Sequence, residues 1–226
     1  MALTSNSNSP TIRLFLFFSF FEKFGGPLDL ATVNDFADSS HNLIVAADVF
    51  ASDLIKNVTT ECGVDFDKDS STMVIDHKSY VTFGTKDDHT LIASDDFIQS
   101  DVVFGKTKIE APILFKGIAH SINMANGLIL KVFFASSSVY STNPKSKLLR
   151  PPLLTRSTIS LASVVQARNN ARIMITGSLN LFSNQLFKTT MHKAESLFKF
   201  EKSGNEQFVI EISKWVFHER RHLNPK

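Results

Sequence analysis

The sequence predicts an α/β fold with a mostly parallel or mixed sheet. Short apolar runs at Ile12–Phe21, Asn42–Ala47 and Ile173–Ile175 read as strands buried on both faces. Between the early runs lie stretches of helical spacing, at the intervals of βαβ units. The 226-residue chain is 43% hydrophobic and 20% charged, the balance of a chain that folds.

In order, Met1–Thr11 is a polar, Ser/Asn-rich tail expected to be disordered, and Ile12–Phe21 is the first strand. Leu14–Phe21 has the length of a signal-peptide core, but Glu22–Gly26 follows it instead of a small-residue cleavage site, so a buried strand is preferred. Gly25-Gly26-Pro27 breaks the chain, and Leu28–Asp38 spaces Leu30, Val33 and Phe36 as one helix face. Asn42–Ala47 is the second strand. A helix over Ala51–Glu61 is closed by Gly63, which accepts the left-handed backbone of a helix stop.

Val64–Phe66 alternates as a short strand. Met73–Ile75, Leu91–Ala93, Ile113–Phe115 and Leu128–Ala135 with Val139 and Tyr140 add further short strands, so a mixed sheet is expected. Ser141–Ser157, with Pro144, Pro151 and Pro152, is a loop within one domain spanning 12–223. The same sheet is expected to continue through Ile159–Gln166 and Ala171–Thr176. The turn Arg168-Asn169-Asn170 joins them, since Asn tolerates the backbone a tight hairpin needs. Thr176-Gly177-Ser178 turns the corner into a helix over Leu179–Lys188, with Ser178 as its N-cap. Gln207–Arg220 closes the chain as an amphipathic helix presenting Phe208, Ile212 and Trp215.

The net charge of +2 conceals an asymmetry. Residues 24–111 carry 16 acidic and 6 basic side chains, and residues 112–226 carry 5 acidic and 16 basic. The basic residues are scattered, as at Lys145, Lys147, Arg150 and Arg156, without the aromatic interleaving of single-strand binders, so nucleic acid is not an expected partner. Phe outnumbers Tyr 21 to 2, which favours apolar filling over amphipathic contact surface. Cys62 is the only cysteine, which excludes an intrachain disulfide and a multi-thiolate zinc site. The longest apolar run falls short of the roughly 20 residues a membrane helix needs, so no span is expected in this chain.

The inventory of reactive groups reads as structural. Thr176-Gly177-Ser178-Leu179 lacks the second glycine of a nucleophile elbow, which favours Ser178 as a cap over a nucleophile. Cys62 sits at a helix C-terminus, where the dipole raises a thiol pKa. Asp76 and His77 are adjacent on an extended segment and point to opposite faces, and His89 with Asp87 and Asp88 reads as a polar turn. No H-E-x-x-H spacing and no G-x-G-x-x-G fingerprint occurs, so neither a metal nor a dinucleotide cofactor is expected. Arg168 and Arg172 bracket the hairpin turn and are candidates to grip a phosphate or carboxylate, against the plainer reading of solvated charges. Asn57-Val58-Thr59 is a possible N-glycosylation site, though placed within a predicted helix.

Ser163–Asn184 (SVVQARNNARIMITGSLNLFSN), Ser213–Arg220 (SKWVFHER) and Met73–His77 (MVIDH) together resemble the 48 kDa subunit family of oligosaccharyltransferase, in its plant-like form. Further matches are Phe24-Gly25-Gly26, Leu28-Asp29-Leu30, Leu43–Asp48, Thr60–Asp67, Gly105–Phe115 and Glu201–Ile212. The resemblance implies a Rossmann-like (amidotransferase-like) lumenal domain, without that class's catalytic residues, in a non-catalytic subunit of the endoplasmic-reticulum complex. That complex moves a preassembled oligosaccharide from dolichyl diphosphate to Asn of N-x-Ser/Thr sequons. Catalysis and metal would then belong to a different, membrane-spanning subunit, which would be a partner together with the remaining subunits. It further implies that Arg168, Asn169, Asn170, Arg172, Gly177, Ser178 and Trp215 form a structural signature. Family members carry a signal peptide, earlier strand–helix units, a later β-rich domain and a membrane helix. By that comparison this chain is truncated at both ends and its sheet is incomplete at the N-terminus.

Four readings compete: a scaffold and assembly subunit, a free-standing hydrolase or amidotransferase-like enzyme using Ser178 or Cys62, a glycan- or lipid-phosphate-binding module using Arg168, Arg172 and the basic half of the chain, and a non-functional truncated relative. The scaffold reading leads.

Overall fold

The computed structural model describes residues 13–17, 29–83, 86–146, 151–193 and 199–219. The strands are β1 (Arg13–Phe17), β2 (Asn42–Ala46), β3 (Val64–Phe66), β4 (Met73–Ile75), β5 (Tyr80–Phe83), β6 (Lys86–Ser94) and β7 (Ile113–Phe115). They continue as β8 (His120–Ile122), β9 (Ile129–Phe134), β10 (Tyr140–Thr142), β11 (Ser160–Gln166), β12 (Arg172–Thr176), β13 (Met191–Lys193) and β14 (Lys199–Phe200). The helices are α1 (Leu30–Asp38), α2 (Asp53–Glu61), α3 (Asp101–Phe104), α4 (Asn184–Phe187) and α5 (Asn205–Val216). The expected tail Met1–Thr11, the end of the first apolar run, the Gly25-Gly26-Pro27 break and the terminal Leu223–Lys226 lie outside the described residues.

The main sheet runs β1-β2-β12-β11-β8-β3, with β9 also pairing β11. β1, β2 and β12 are parallel, whereas β11 opposes β12, β8 and β9, and β8 opposes β3. The sheet is therefore mixed. The βαβ spacing holds for β1–α1–β2, whose strands are parallel neighbours. It misleads for the next unit, because after α2 the chain places β3 at the far edge, antiparallel to β8. The reason is legible in the strands. β12 is buried at all five positions and suits a slot covered on both faces, while β3 exposes Asp65 between two buried residues and suits an edge.

The middle of the chain also departs from the expected single sheet. β5, β6, β7, β13 and β14 form a second, antiparallel sheet, and β4 pairs β10 in a separate ribbon. His89, expected in a turn, lies within β6.

The expected helix over Leu179–Lys188 is two short pieces. A 3₁₀ turn at Leu179–Phe182 stops at Ser183, which is extended (φ −87°, ψ 141°). The Ser183 hydroxyl then accepts from the Leu186 amide and opens α4. Asn180, Ser183 and Asn184 offer side-chain partners to the backbone and so compete with a continuous helix. The closing helix is shifted as well, to Asn205–Val216. It begins where Asn205 locks onto Leu114 through two 2.8 Å bonds, one to each backbone group, and it stops just before His218, which adopts φ +58°.

The sheet sorts its core by strand alternation. Leu43, Val45, Ile173 and Ile175 pack toward α1 and α2, and Ile44, Val164 and Met174 pack toward α5. Each fully buried aliphatic side chain contributes about 1.5–3 kcal/mol.

Candidate functional site

The β11–β12 hairpin holds most of the residues that the sequence singles out, and the structure sends them to separate places. At the turn, Asn170 takes φ +68°, as a tight hairpin requires of an Asn. The Asn169 amide donates to Ala37 O (2.8 Å) and Asp38 O (3.0 Å), while its oxygen accepts from the Ala171 amide. Asn169 thus ties the C-terminal carbonyls of α1 to the hairpin. Arg168 is exposed.

At the other end of β12, Gly177 meets the 116–118 segment at a distance only glycine allows. The Ile118 amide donates to Gly177 O at 2.8 Å. A Cβ on Gly177 would lie 2.0 Å from Ile118 O, and one on Gly117 would lie 2.0 Å from Gly177 O. Ser178 makes no side-chain cap. Its hydroxyl donates to Lys116 O at 2.7 Å, so it closes the same contact. Ser178 thus stands at the N-cap position before Leu179, as expected, but its hydroxyl is committed across the chain and not along it.

Between these ends lies Arg172, a buried cation. Its backbone amide donates to Asn42 Oδ1 (2.9 Å) and its Nη1 to the Trp215 carbonyl (2.7 Å), with the guanidinium 4.8 Å from the Trp215 ring centre. The structure brings Arg172 and Trp215 together and does not bring Arg168 to Arg172. The two arginines do not form one anion grip.

The remaining reactive groups are engaged in the fold. The Cys62 thiol is pushed up to about 11, first by burial and then by the charge of Glu61, so it is no nucleophile at neutral pH. Asp76 is buried and accepts from the hydroxyls of Ser136 and Ser138, each at 2.7 Å, while His77 beside it is exposed, as the alternation predicts. The Asp48 carboxyl is raised by burial. Asn57 is exposed on α2, but Thr59 of its sequon is fully buried, with its hydroxyl donating to Lys56 O.

Sequence reasoning missed a serine–imidazole chain. His120 Nε2 lies 2.8 Å from Ser163 Oγ, which lies 2.8 Å from Ser160 Oγ. All three residues are wholly buried, and burial pushes the imidazole down to about 3, so it is neutral. The pair has the elements of a nucleophile and its base without a path for substrate. No spacing in the sequence signals it, because β8 and β11 meet only through the sheet. Among the described residues, no three His, Cys, Asp or Glu come together as a metal site. No helix of the described residues is long and apolar enough to cross a membrane.

Two depressions flank the lower end of the hairpin, on opposite faces of the sheet. One, of about 230 Å³, has Trp215 and Val164 in it and the exposed Val102, Leu128 and Leu130 around it. The other, of about 290 Å³, lies where α1 and α2 end, between Asp38, Glu61, Cys62 and Arg168. Leu128 stands at the rim of both.

Comparison with known proteins agrees over nearly the full chain. The family model described as OST48, N-terminal domain, matches residues 9–219. The "Dolichyl-diphosphooligosaccharide--protein glycosyltransferase 48 kDa subunit" of Arabidopsis thaliana is 61% identical over 202 residues, 89% of this chain and 46% of that protein. Proteins of the same name from Danio rerio and Caenorhabditis elegans are 34% and 33% identical, over 92% and 95% of this chain and 47% and 48% of theirs. The chain spans about half the length of the curated relatives it matches.

Proposed function

The chain belongs to the family described as OST48, N-terminal domain, and on that premise we propose that it is a non-catalytic scaffold and assembly subunit of oligosaccharyltransferase. In this reading it supports transfer of the preassembled oligosaccharide from dolichyl diphosphate to sequon asparagines by holding other subunits in place. It works on the lumenal side of the endoplasmic reticulum membrane, and the catalytic groups lie in another, membrane-embedded subunit.

The observation that carries the reading is the 61% identity to a protein named as a subunit of that glycosyltransferase. The geometry supports the non-catalytic part. Ser178 is bonded to Lys116 O, the Cys62 thiol is held protonated, and the His120–Ser163 pair is sealed in the sheet. The signature residues act on the fold itself: Asn169 on α1, Gly177 on the 116–118 segment, and Arg172 on α5.

The test is affinity purification of the tagged chain from its own microsomes in mild detergent, with co-purifying proteins identified by mass spectrometry. Stoichiometric recovery of the other oligosaccharyltransferase subunits is expected. Recovery of folding chaperones alone would overturn the reading.

A further inference from the structure

We propose that the cleft where α1 and α2 end receives a lysine or arginine side chain from an extended segment of a partner subunit. This rests on the assembly reading above and adds to it a place and a chemistry of contact.

The electrostatics of the cleft select a cation. Asp38 ends α1 and Glu61 ends α2, and both carboxylates are exposed at the same opening. Neither helix carries a basic residue in its last turn; Asn169 caps the α1 carbonyls with a neutral amide, and the partial negative charge at the end of α2 adds to that of Glu61. Among the described residues, neither Asp38 nor Glu61 has an ion-pair partner; the pairs there are Lys116–Asp88, Lys199–Glu201 and Lys214–Glu211. Arg168 is the one cation lining the cleft and leaves it net negative. The negative field is felt by a neighbour, since the charge of Glu61 helps hold the Cys62 thiol protonated. An anionic ligand would meet both carboxylates, which disfavours phosphate or a lipid phosphate here.

The floor selects a long side chain. Val165 and Ile173 of the sheet lie beneath, and Leu128, 42% exposed, forms the rim. Lys and Arg lay their methylene stems on such apolar surface while the charged head stays among polar groups. Asn34 and Asn126 line the opening, and the Asn126 oxygen, which accepts from the Leu128 amide at 3.1 Å, keeps a second lone pair for an ammonium or guanidinium. At about 290 Å³ the cleft falls at the bottom of the ~300–1,000 Å³ range of small-molecule pockets. That size suits one inserted side chain better than a drug-sized ligand.

The experiment places a photoreactive benzoylphenylalanine at Leu128 of the full chain, expressed in its own cells, irradiated in microsomes and purified in mild detergent. The expected adduct joins position 128 to a peptide of another oligosaccharyltransferase subunit, at or beside a Lys or Arg. Asp38→Lys with Glu61→Lys is expected to lower the adduct yield at least tenfold, and the milder Asp38→Asn with Glu61→Gln to lower it by less. Co-purification of the complex with an adduct only to this chain, to a second copy, to lipid or to a non-basic peptide would overturn the cleft assignment alone. So would co-purification with no adduct, or a yield unchanged by both double variants. Failure to co-purify with any subunit would remove the assembly reading and the cleft with it.

Discussion

Arg172 and Trp215 grip each other twice: the Arg172 guanidinium donates to the Trp215 carbonyl at 2.7 Å and stacks 4.8 Å from the centre of the Trp215 ring. The pair fastens the end of α5, the last described helix, to β12 at the middle of the sheet. It explains how one buried cation is accommodated, since its charge is met by a carbonyl oxygen and an aromatic face.

Removing one partner should therefore cost more than an ordinary surface change. Arg172→Ala is expected to lower the unfolding free energy by about 2–4 kcal/mol, through a lost charged hydrogen bond, a lost contact with the Trp215 ring and the space left by a buried side chain, the Trp215 carbonyl keeping only its bond from the His218 amide. Trp215→Ala should cost about 3–5 kcal/mol through the cavity as well. Urea denaturation of the isolated chain measures both. A change within about 0.5 kcal/mol for Arg172→Ala, typical of solvated positions, would refute the buried role.

The Gly177 corner gives a sharper contrast. A methyl group on Gly177 would meet the Ile118 backbone oxygen at 2.0 Å, which no side-chain movement can relieve, so Gly177→Ala should cost at least about 3 kcal/mol. Gly127→Ala, where a Cβ meets nothing within 4 Å, should stay within about 0.5 kcal/mol. Ser178→Ala should cost about 1–3 kcal/mol, because it leaves Lys116 O without its donor. Thermal melts of the three variants side by side would settle the order.

His120 makes stability depend on pH. Its imidazole is pushed down to about 3 by burial and then by the charge of Lys131, whereas in the unfolded chain it titrates near ~6.5. Between these values the unfolded chain binds a proton that the folded chain refuses. The stabilisation is complete above that window and is lost as pH falls through it, by up to about 1.4 kcal/mol per unit. Asp48, raised by burial, acts in the opposite sense, and the lowered Asp76 and Asp88 lose their contribution only in more acidic solution. Urea titrations from pH 7 to 5 should show a flatter dependence for His120→Gln than for the native chain. Parallel slopes would count against a neutral, buried imidazole.

The sequon at Asn57 should be inert once the chain has folded. A glycosylating enzyme needs the sequon accessible, as on a surface loop, yet Thr59 is 0% exposed and bonded to Lys56 O inside α2. Folded chain incubated with microsomal oligosaccharyltransferase and lipid-linked oligosaccharide should gain no glycan by mass spectrometry, and urea-unfolded chain diluted into the same reaction should gain one. Modification of the folded chain at Asn57 would mean that α2 opens readily.

Much of this fold was legible because its signals are local. The five buried residues of β2 and of β12 read as apolar runs, Gly63 takes φ +77° where a helix must stop, and Asn170 takes φ +68° at the hairpin turn. What was hidden is non-local. Nothing near Val64 says that β3 will cross to the far edge, and nothing near His120 says that Ser163 will face it. Lys116 is the same case from the other side, for its carbonyl, 62 residues away, claims the Ser178 hydroxyl that local reading assigned to a cap. The cleft at the ends of α1 and α2 was missed for the same reason, since Asp38, Glu61, Leu128 and Arg168 are neighbours only after the sheet has formed.

The central claim is that this chain contributes assembly and not chemistry. The direct measurement is the oligosaccharide-transfer rate per purified complex, using a lipid-linked donor and an acceptor peptide, for complexes carrying Ser178→Ala, Cys62→Ala or Arg172→Ala. The account predicts that variants damaging the fold lower the amount of complex recovered and leave the rate per complex unchanged. A tenfold or greater fall in rate per complex for Ser178→Ala or Cys62→Ala, with subunit composition intact, would contradict it.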